Sequence, residues 1–305
     1  MQITRRSDIY TRLQFLYSYT ELSRTVEDDR SMGFMPLIWL RVAVICYGVG
    51  LVYSLLLLSK RGNLLGKIVE PAVGLGLIFH FVSLVESTIQ IGHLSLASIH
   101  YSESLLAFLA MVVFFVFFVG YRTVSPGIVI FPIVFVLTFA SALTQKPVSI
   151  TSPALRSGWI FVHIVLIFTG YAGLFLSFGA SLLYLVQERT LKSKRPTTLL
   201  TWLPPLQTID DIGYRALLFG FPFMTFGILT GSVLLIEKYG PMFFADPKIV
   251  LSFAMWAVYL LLLYTRWSSG WRGRRAAFLA TFAFIIAICA WAANNFSRVH
   301  RFIAS

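Results

Sequence analysis

Eight long, almost unbroken apolar stretches, separated by short polar segments, set the layout of this 305-residue chain. They run at roughly 36–59, 69–91, 103–121, 127–145, 157–186, 215–237, 249–266 and 276–297. About 20 apolar residues in helical form cross a bilayer core. Lipid cannot hydrogen-bond an open backbone, so runs of this kind predict spanning helices. The pattern therefore predicts an all-α, polytopic integral membrane protein with eight transmembrane helices. The fifth run is longer than a bilayer needs, which predicts tilt or projection beyond the headgroups.

Composition agrees with the pattern. Hydrophobic residues make up 57% of the chain and charged ones 12%, with a mean hydropathy of +0.79. These values exclude an ordinary soluble domain. The net charge of +12 would in a soluble chain point to nucleic acid. Here most Lys and Arg residues fall in short loops between apolar runs, a pattern of membrane topology that predicts a lipid partner and no nucleic acid. Cys46 and Cys289 both lie inside apolar runs, and no Cys-x-x-Cys-His spacing occurs. They indicate neither a disulfide framework nor a covalent haem attachment site in this chain.

Charge also orients the chain. The segments after the first, third, fifth and seventh runs, from Lys60 to Arg275, carry thirteen Lys and Arg residues. The alternate loops and the C-terminal tail carry six: Lys146, Arg156, Lys238, Lys248, Arg298 and Arg301. The richer side belongs in the cytoplasm, which places both termini on the external side. Residues 1–35 hold five Arg and five acidic residues. No apolar h-region precedes a small-residue cleavage site there, so the expectation is a polar segment, peripheral or partly disordered, ahead of a transmembrane domain at 36–301.

Depth then sorts the five histidines. His163 sits one to two turns into the outer end of the fifth helix, and His300 follows the outer end of the eighth. A conspicuous external loop, residues 239–248, lies between them in sequence. Paired imidazoles above a membrane suggest a metal or haem held between them. His93 and His100 fall in the outer loop between the second and third helices, and His80 near the middle of the second. A mid-bilayer ionisable side chain is either a functional group or a neutral imidazole bonded to a neighbouring helix.

Several segments carry a family resemblance. Phe219 to Ser232 (FGFPFMTFGILTGS), then Tyr239-Gly240, Asp246-Pro247-Lys248 and Trp256 resemble the tryptophan-rich WWD region of the cytochrome c assembly family, the CcsA, ResC, HemX and CcmC type of haem-handling membrane proteins. Ser157 to His163 with Gly170-Tyr171-Ala172 resembles the first external-histidine helix of that family. Gly270 to Ala277 resembles its basic cytoplasmic turn, and Asn294 to His300 its second external histidine. The resemblance covers most of residues 36–301, in the family's order.

The resemblance implies haem on the external face, bound without a covalent link and b-type, with His163 and His300 as axial ligands to the iron. The 239–248 loop, with Tyr239, Phe243, Phe244 and Asp246, and Trp256 beyond it, would form an aromatic platform along the porphyrin. Haem iron accepts one imidazole on each face, and aromatic rings supply apolar contact for the macrocycle. Arg156, Lys248, Arg298 and Arg301 are the cations available to the propionates, or else ordinary interfacial charges. Two departures stand out. The loop has Tyr239, Phe243, Phe244 and Ala245 where the family is rich in tryptophan, and Ile249 where it has glutamate. Family members that also bind haem within the membrane pair a histidine matching His80 with one in a Leu-His-Thr-Arg stretch. This chain reads Leu263-Tyr264-Thr265-Arg266 there.

Other chemistry is sparse. His93 and His100 have only Glu103 nearby to complete a metal site. Glu103 reads more simply as a charge near a helix N-terminus, and Asp210 and Asp211 as charges preceding the sixth helix. No nucleophile and base arrangement, phosphate loop or redox cysteine pair is present. The expectation is thus a multi-pass protein of the bacterial inner (plasma) membrane that binds haem for cytochrome c maturation. It would be at most the haem-presenting subunit of a cytochrome c haem lyase, needing a CcsB/ResB-like subunit and apocytochrome c as partners. The alternative is a HemX-like regulator of haem biosynthesis acting on the level of glutamyl-tRNA reductase.

Overall fold

A computed structural model describes residues 35–56, 66–91, 99–143, 158–193, 203–239, 246–293 and 296–297. The expected segment 1–35 lies outside them except for Met35. Eight helices occupy the described residues, close to the eight apolar runs: α1 Met35–Leu56, α2 Gly66–Ile91, α3 Ile99–Tyr121 and α4 Gly127–Leu143. They continue as α5 Gly158–Lys192, α6 Leu206–Tyr239, α7 Pro247–Ser268 and α8 Arg274–Ala292. Seven are long and apolar enough to cross a membrane, and α4, at 17 residues, is shorter. The protein is an all-helical, multi-spanning membrane protein.

One expectation is corrected. Asp210 and Asp211 do not precede the sixth helix; they lie inside α6, which begins at Leu206, nine residues before the apolar run predicted it. The polar residues there were read as loop, but ion pairs carry the helix through them. Arg266 donates to both oxygens of Asp210, at 3.0 and 2.7 Å, and Arg215 bonds Asp211 at 3.0 Å.

Helix ends follow local chemistry. α3 stops where Arg122 takes a positive φ of 49°, and the amide of Gly127 closes a turn on Val124 O. α7 stops before Gly270, whose φ of 63° reverses the chain, while Trp271 N bonds back to Thr265 O. Glycine adopts that left-handed geometry without a Cβ clash.

Among the described residues, the two largest of four apolar clusters run through the bundle. One packs α1 to α5 around Tyr47, Met111, Phe114 and Phe131. The other packs α5 to α8 around Leu174, Met224, Met255 and Tyr259. Phe284 of α8 touches both cores and stacks on Phe178 at 4.1 Å. Burial of apolar surface gives little drive between helices already in lipid, so close approach of backbones matters more. α5 and α6 achieve it through small residues: a Cβ on Gly173 would stand 2.7 Å from Gly220 Cα. α8 likewise turns Ala276, Ala280, Ala283, Ala287 and Ala290 inward. Large apolar side chains such as Ile45, Ile78, Val116, Phe226 and Ile285 remain on the outer surface, where lipid covers them.

Four hydrogen bonds sort the helix ends. Ser83, towards the end of α2, donates to Pro36 O at the start of α1 at 2.8 Å. Ser141 near the end of α4 donates to His100 O in the first turn of α3. His163 near the start of α5 bonds Gly227 O, about two-thirds of the way along α6. Ser297, just past α8, donates to Asp246 at the start of α7. All four join the start of an odd-numbered helix to the later half, or the residues just past the end, of the following even-numbered one. One end of the bundle therefore gathers Met35, His163, Asp246 and Ser297; the other holds Asp210, Arg266 and Gly273.

Candidate functional site

His163 lies on the second turn of α5, with its ring against α6. Its Nδ1 is 2.7 Å from Gly227 O. A carbonyl only accepts, so Nδ1 carries the proton and Nε2 the lone pair. Among the described residues no hydrogen bond engages Nε2. This is how a metal-ligating histidine is usually held: one nitrogen donates to a backbone carbonyl, which fixes the tautomer and leaves the other to coordinate. The donor set at this position therefore fits a haem iron.

Asp246 and Lys248 stand at the same end. Asp246 caps α7, its Oδ1 accepting from Lys248 N at 3.0 Å, with Pro247 in the first helical position where no amide is needed. Its Oδ2 accepts from Ser297 Oγ at 2.9 Å, and Ser297 is wholly buried. Lys248 lies within electrostatic reach of both His163 and Asp246. An imidazole, a capping carboxylate and a cation thus stand at the same end of α5 to α8. Within the expected loop 239–248, Tyr239 closes α6, Asp246 caps α7, and Pro247 and Lys248 open it; the residues between lie outside the described ones.

Other expected site residues sit elsewhere. Trp256 is two turns into α7, donates from Nε1 to Thr225 Oγ1 at 3.0 Å and stacks on Phe221; the structure uses it to fasten α7 to α6. His80 is fully buried in the other core. Its Nδ1 is 3.3 Å from Tyr47 OH on α1 and its Nε2 2.9 Å from Ser104 Oγ on α3, with Phe108 edge-on to the ring. Both nitrogens are engaged, as in an imidazole that ties neighbouring helices together. Tyr264 is 59% exposed on the surface of α7, and the structure does not bring it to His80. Arg156, Phe243, Phe244, Arg298, His300, Arg301 and the side chain of Tyr239 lie outside the described residues. His100 Nδ1 is 3.6 Å from Glu103, and His93 is also outside. Among the described residues no group of three or more His, Cys, Asp or Glu side chains is placed to hold a metal ion.

Sequence reasoning missed Gly227, Gly231 and Ser297. The four-residue spacing of the two glycines within an apolar run was a readable signal for close helix approach. Nothing in the local sequence pairs Ser297 with Asp246. Also missed was the opposite end of the bundle, where Arg266 forks onto Asp210, lies 4.5 Å over the Tyr214 ring, and shares Asp210 with Gly273 N.

Comparison with known proteins places this architecture. Residues 97–298, well over half of the chain, match the sequence model of a family described as "Cytochrome C assembly protein". The chain is 30% identical over 182 residues to "Cytochrome c biogenesis protein CcsA" of Prochlorococcus marinus (strain MIT 9215), covering 52% of this chain and 59% of that protein. Proteins of the same name are similar in Heterosigma akashiwo (strain NIES-293 / 8280G21-1), 29% over 231 residues, 64% and 72% of the two chains, and in Chlamydomonas reinhardtii, 32% over 149 residues, 49% and 41%. The chain spans little more than half the length of the Prochlorococcus relatives it matches. The matched region contains α3 to α8, and with them His163, Asp246 and Ser297. This chain belongs to the cytochrome c assembly protein family.

Proposed function

We propose that this chain is a haem-handling protein of a bacterial inner membrane, holding haem at its external face between His163 and His300 during cytochrome c maturation. One observation carries the reading: His163 commits Nδ1 to Gly227 O, which leaves Nε2 as the ligating atom. Lys248, at the same end of the bundle and within electrostatic reach of His163, and Arg156, Arg298 and Arg301 are the candidates to meet the propionates. Tyr239, Phe243 and Phe244 would lie along the macrocycle. Haem, once held, supplies the vinyl carbons to which apocytochrome thiols add. The chain's own part is to fix the iron, orient the macrocycle and keep competing ligands away. A CcsB/ResB-like subunit and apocytochrome c are the partners this reading requires. The relatives' name, cytochrome c biogenesis protein, supports the pathway.

The test is spectroscopic. Protein purified in detergent from a haem-replete host is expected to show a low-spin bis-imidazole spectrum, reduced and oxidised, which His163→Ala or His300→Ala weakens. Colourless protein, or variants with an unchanged spectrum, would overturn the reading.

Tyr264, in the stretch where family members that bind haem within the membrane are expected to have histidine, favours a second reading, a HemX-like regulator of haem biosynthesis. Deleting the gene would then alter the level of glutamyl-tRNA reductase while cytochromes c still mature; loss of cytochromes c with an unaltered reductase level excludes it.

A further inference from the structure

The ring of His163 occupies space that exists only because α6 has no side chain there. A Cβ on Gly231 would stand 2.4 Å from Cε1, 2.8 Å from Nδ1 and 3.3 Å from Nε2 of His163. The first two distances are well inside van der Waals contact, so an alanine at this position and the ring as placed exclude one another. One helical turn earlier, Gly227 supplies the carbonyl that accepts from Nδ1, at 2.7 Å. The same oxygen accepts from Thr230 Oγ1 at 2.9 Å. Residues four apart lie on one face of a helix, so the bare wall of Gly231 and the carbonyl of Gly227 together form a notch around the ring, while the bare face of Gly227 itself lies against Ile167, whose Cδ1 would stand 2.7 Å from an added Cβ.

The other close glycines between α5 and α6 differ in what they meet. A Cβ on Gly173 would meet the backbone of Gly220 and Ala216, and one on Gly170 the backbone and Cβ of Met224. Those positions serve the approach of two helices. Gly231 is the one of this group whose added Cβ would meet an imidazole.

We propose that Gly231 is a positioning residue for the iron ligand, acting with the backbone carbonyl of Gly227: the notch sets the plane of the His163 ring and holds it in the tautomer that presents Nε2. This inference rests on the reading of His163 as a haem ligand. A wall and an acceptor fix two degrees of freedom that an imidazole on a helix otherwise retains, the ring rotation and the site of the proton. Groups that orient a ligand in this way typically change metal affinity by about 10- to 100-fold when altered.

A double-mutant cycle separates positioning from helix packing. Gly231→Ala, His163→Gly and the double variant are purified from a haem-replete host, and haem retained per protein is measured from the reduced spectrum. Both His163→Gly proteins are prepared with imidazole in the buffer to replace the missing ring. Gly231→Ala alone is expected to lower retention about tenfold; in the His163→Gly background the same change is expected to alter it less than about twofold. The double variant has no tethered ring to clash, so a single variant that fails to fold beside a double variant that folds and takes haem with imidazole also supports the notch. Equal loss in both backgrounds, no loss in either, or failure of both variants to fold overturns it and leaves Gly231 a packing residue. If the wild type retains no haem, or His163→Ala keeps the wild-type spectrum, the ligand reading fails and the notch proposal with it.

Discussion

Ser297 and Asp246, 51 residues apart, are joined by a hydrogen bond of 2.9 Å from the serine hydroxyl to a carboxylate oxygen. The bond ties the entry of α7 to the strand of chain leaving α8, three residues before His300. A hydrogen bond to a buried charged group contributes about 1.5–3 kcal/mol. Ser297→Ala is expected to destabilise the protein by that order and to lower its thermal midpoint in detergent, whereas Ser297→Thr keeps the hydroxyl and most of the stability. Tryptophan fluorescence during heating reads both. Equal midpoints for the alanine and threonine variants would deny the bond a role.

At the opposite end, Arg266 and Asp210 are mostly shielded from solvent. Removing one partner of such a pair leaves an uncompensated charge, at a cost of about 3–5 kcal/mol. Arg266→Gln should therefore be severely destabilised. Asp210→Asn added to it removes the stranded charge, keeps an oxygen for Gly273 N and should recover part of the loss. Detergent stability, followed by size-exclusion chromatography after heating, checks the order single variant, double variant, wild type.

His80 gives a prediction of separation. Both of its nitrogens are engaged by Tyr47 and Ser104, so His80→Ala opens a cavity and strands two hydroxyl partners in the core. Stability should fall by about 2–5 kcal/mol, while the absorption bands assigned to His163 stay in place. Tyr264→His, on the lipid-facing surface of α7, should add no haem. An increase in haem content that depends on His80 would show that a membrane-level site can form.

Glycine substitutions should divide by what surrounds them. Gly120 has nothing within 4 Å of an added Cβ, so Gly120→Ala is expected to be neutral or to stabilise by up to about 1 kcal/mol. Gly173→Ala would press against the α6 backbone and should cost about 1–3 kcal/mol. Similar thermal midpoints for the two would refute the close packing of α5 on α6.

The helices were legible because lipid forces a simple rule on the sequence: long apolar runs become spanning helices, and seven of the eight runs meet that description outright. The start of α6 was not, since Asp210, Asp211 and Arg215 look like loop until the partners Arg266 and Tyr121 are brought alongside. The position of His163 near the start of its helix was legible, and its tautomer was not, because that depends on a carbonyl 64 residues away. Trp256 carried the right residue type at the right spacing, yet its indole is bonded to Thr225 within the helix packing. Sequence gives the depth of a side chain in a membrane more readily than the direction it faces.

The four hydrogen bonds at the helix ends bear on biogenesis as well as on sidedness. They fall within the successive pairs α1–α2, α3–α4, α5–α6 and α7–α8, each towards the end of the pair away from the residues that connect its two helices. Every pair thus holds its own fastener, in its helices or in the residues that flank them, and needs no later hairpin to supply it. A chain built this way can enter the bilayer two helices at a time, each pair closed before the next emerges, and the His163 hairpin is then shaped before Asp246 and Ser297 arrive to complete that end of the bundle.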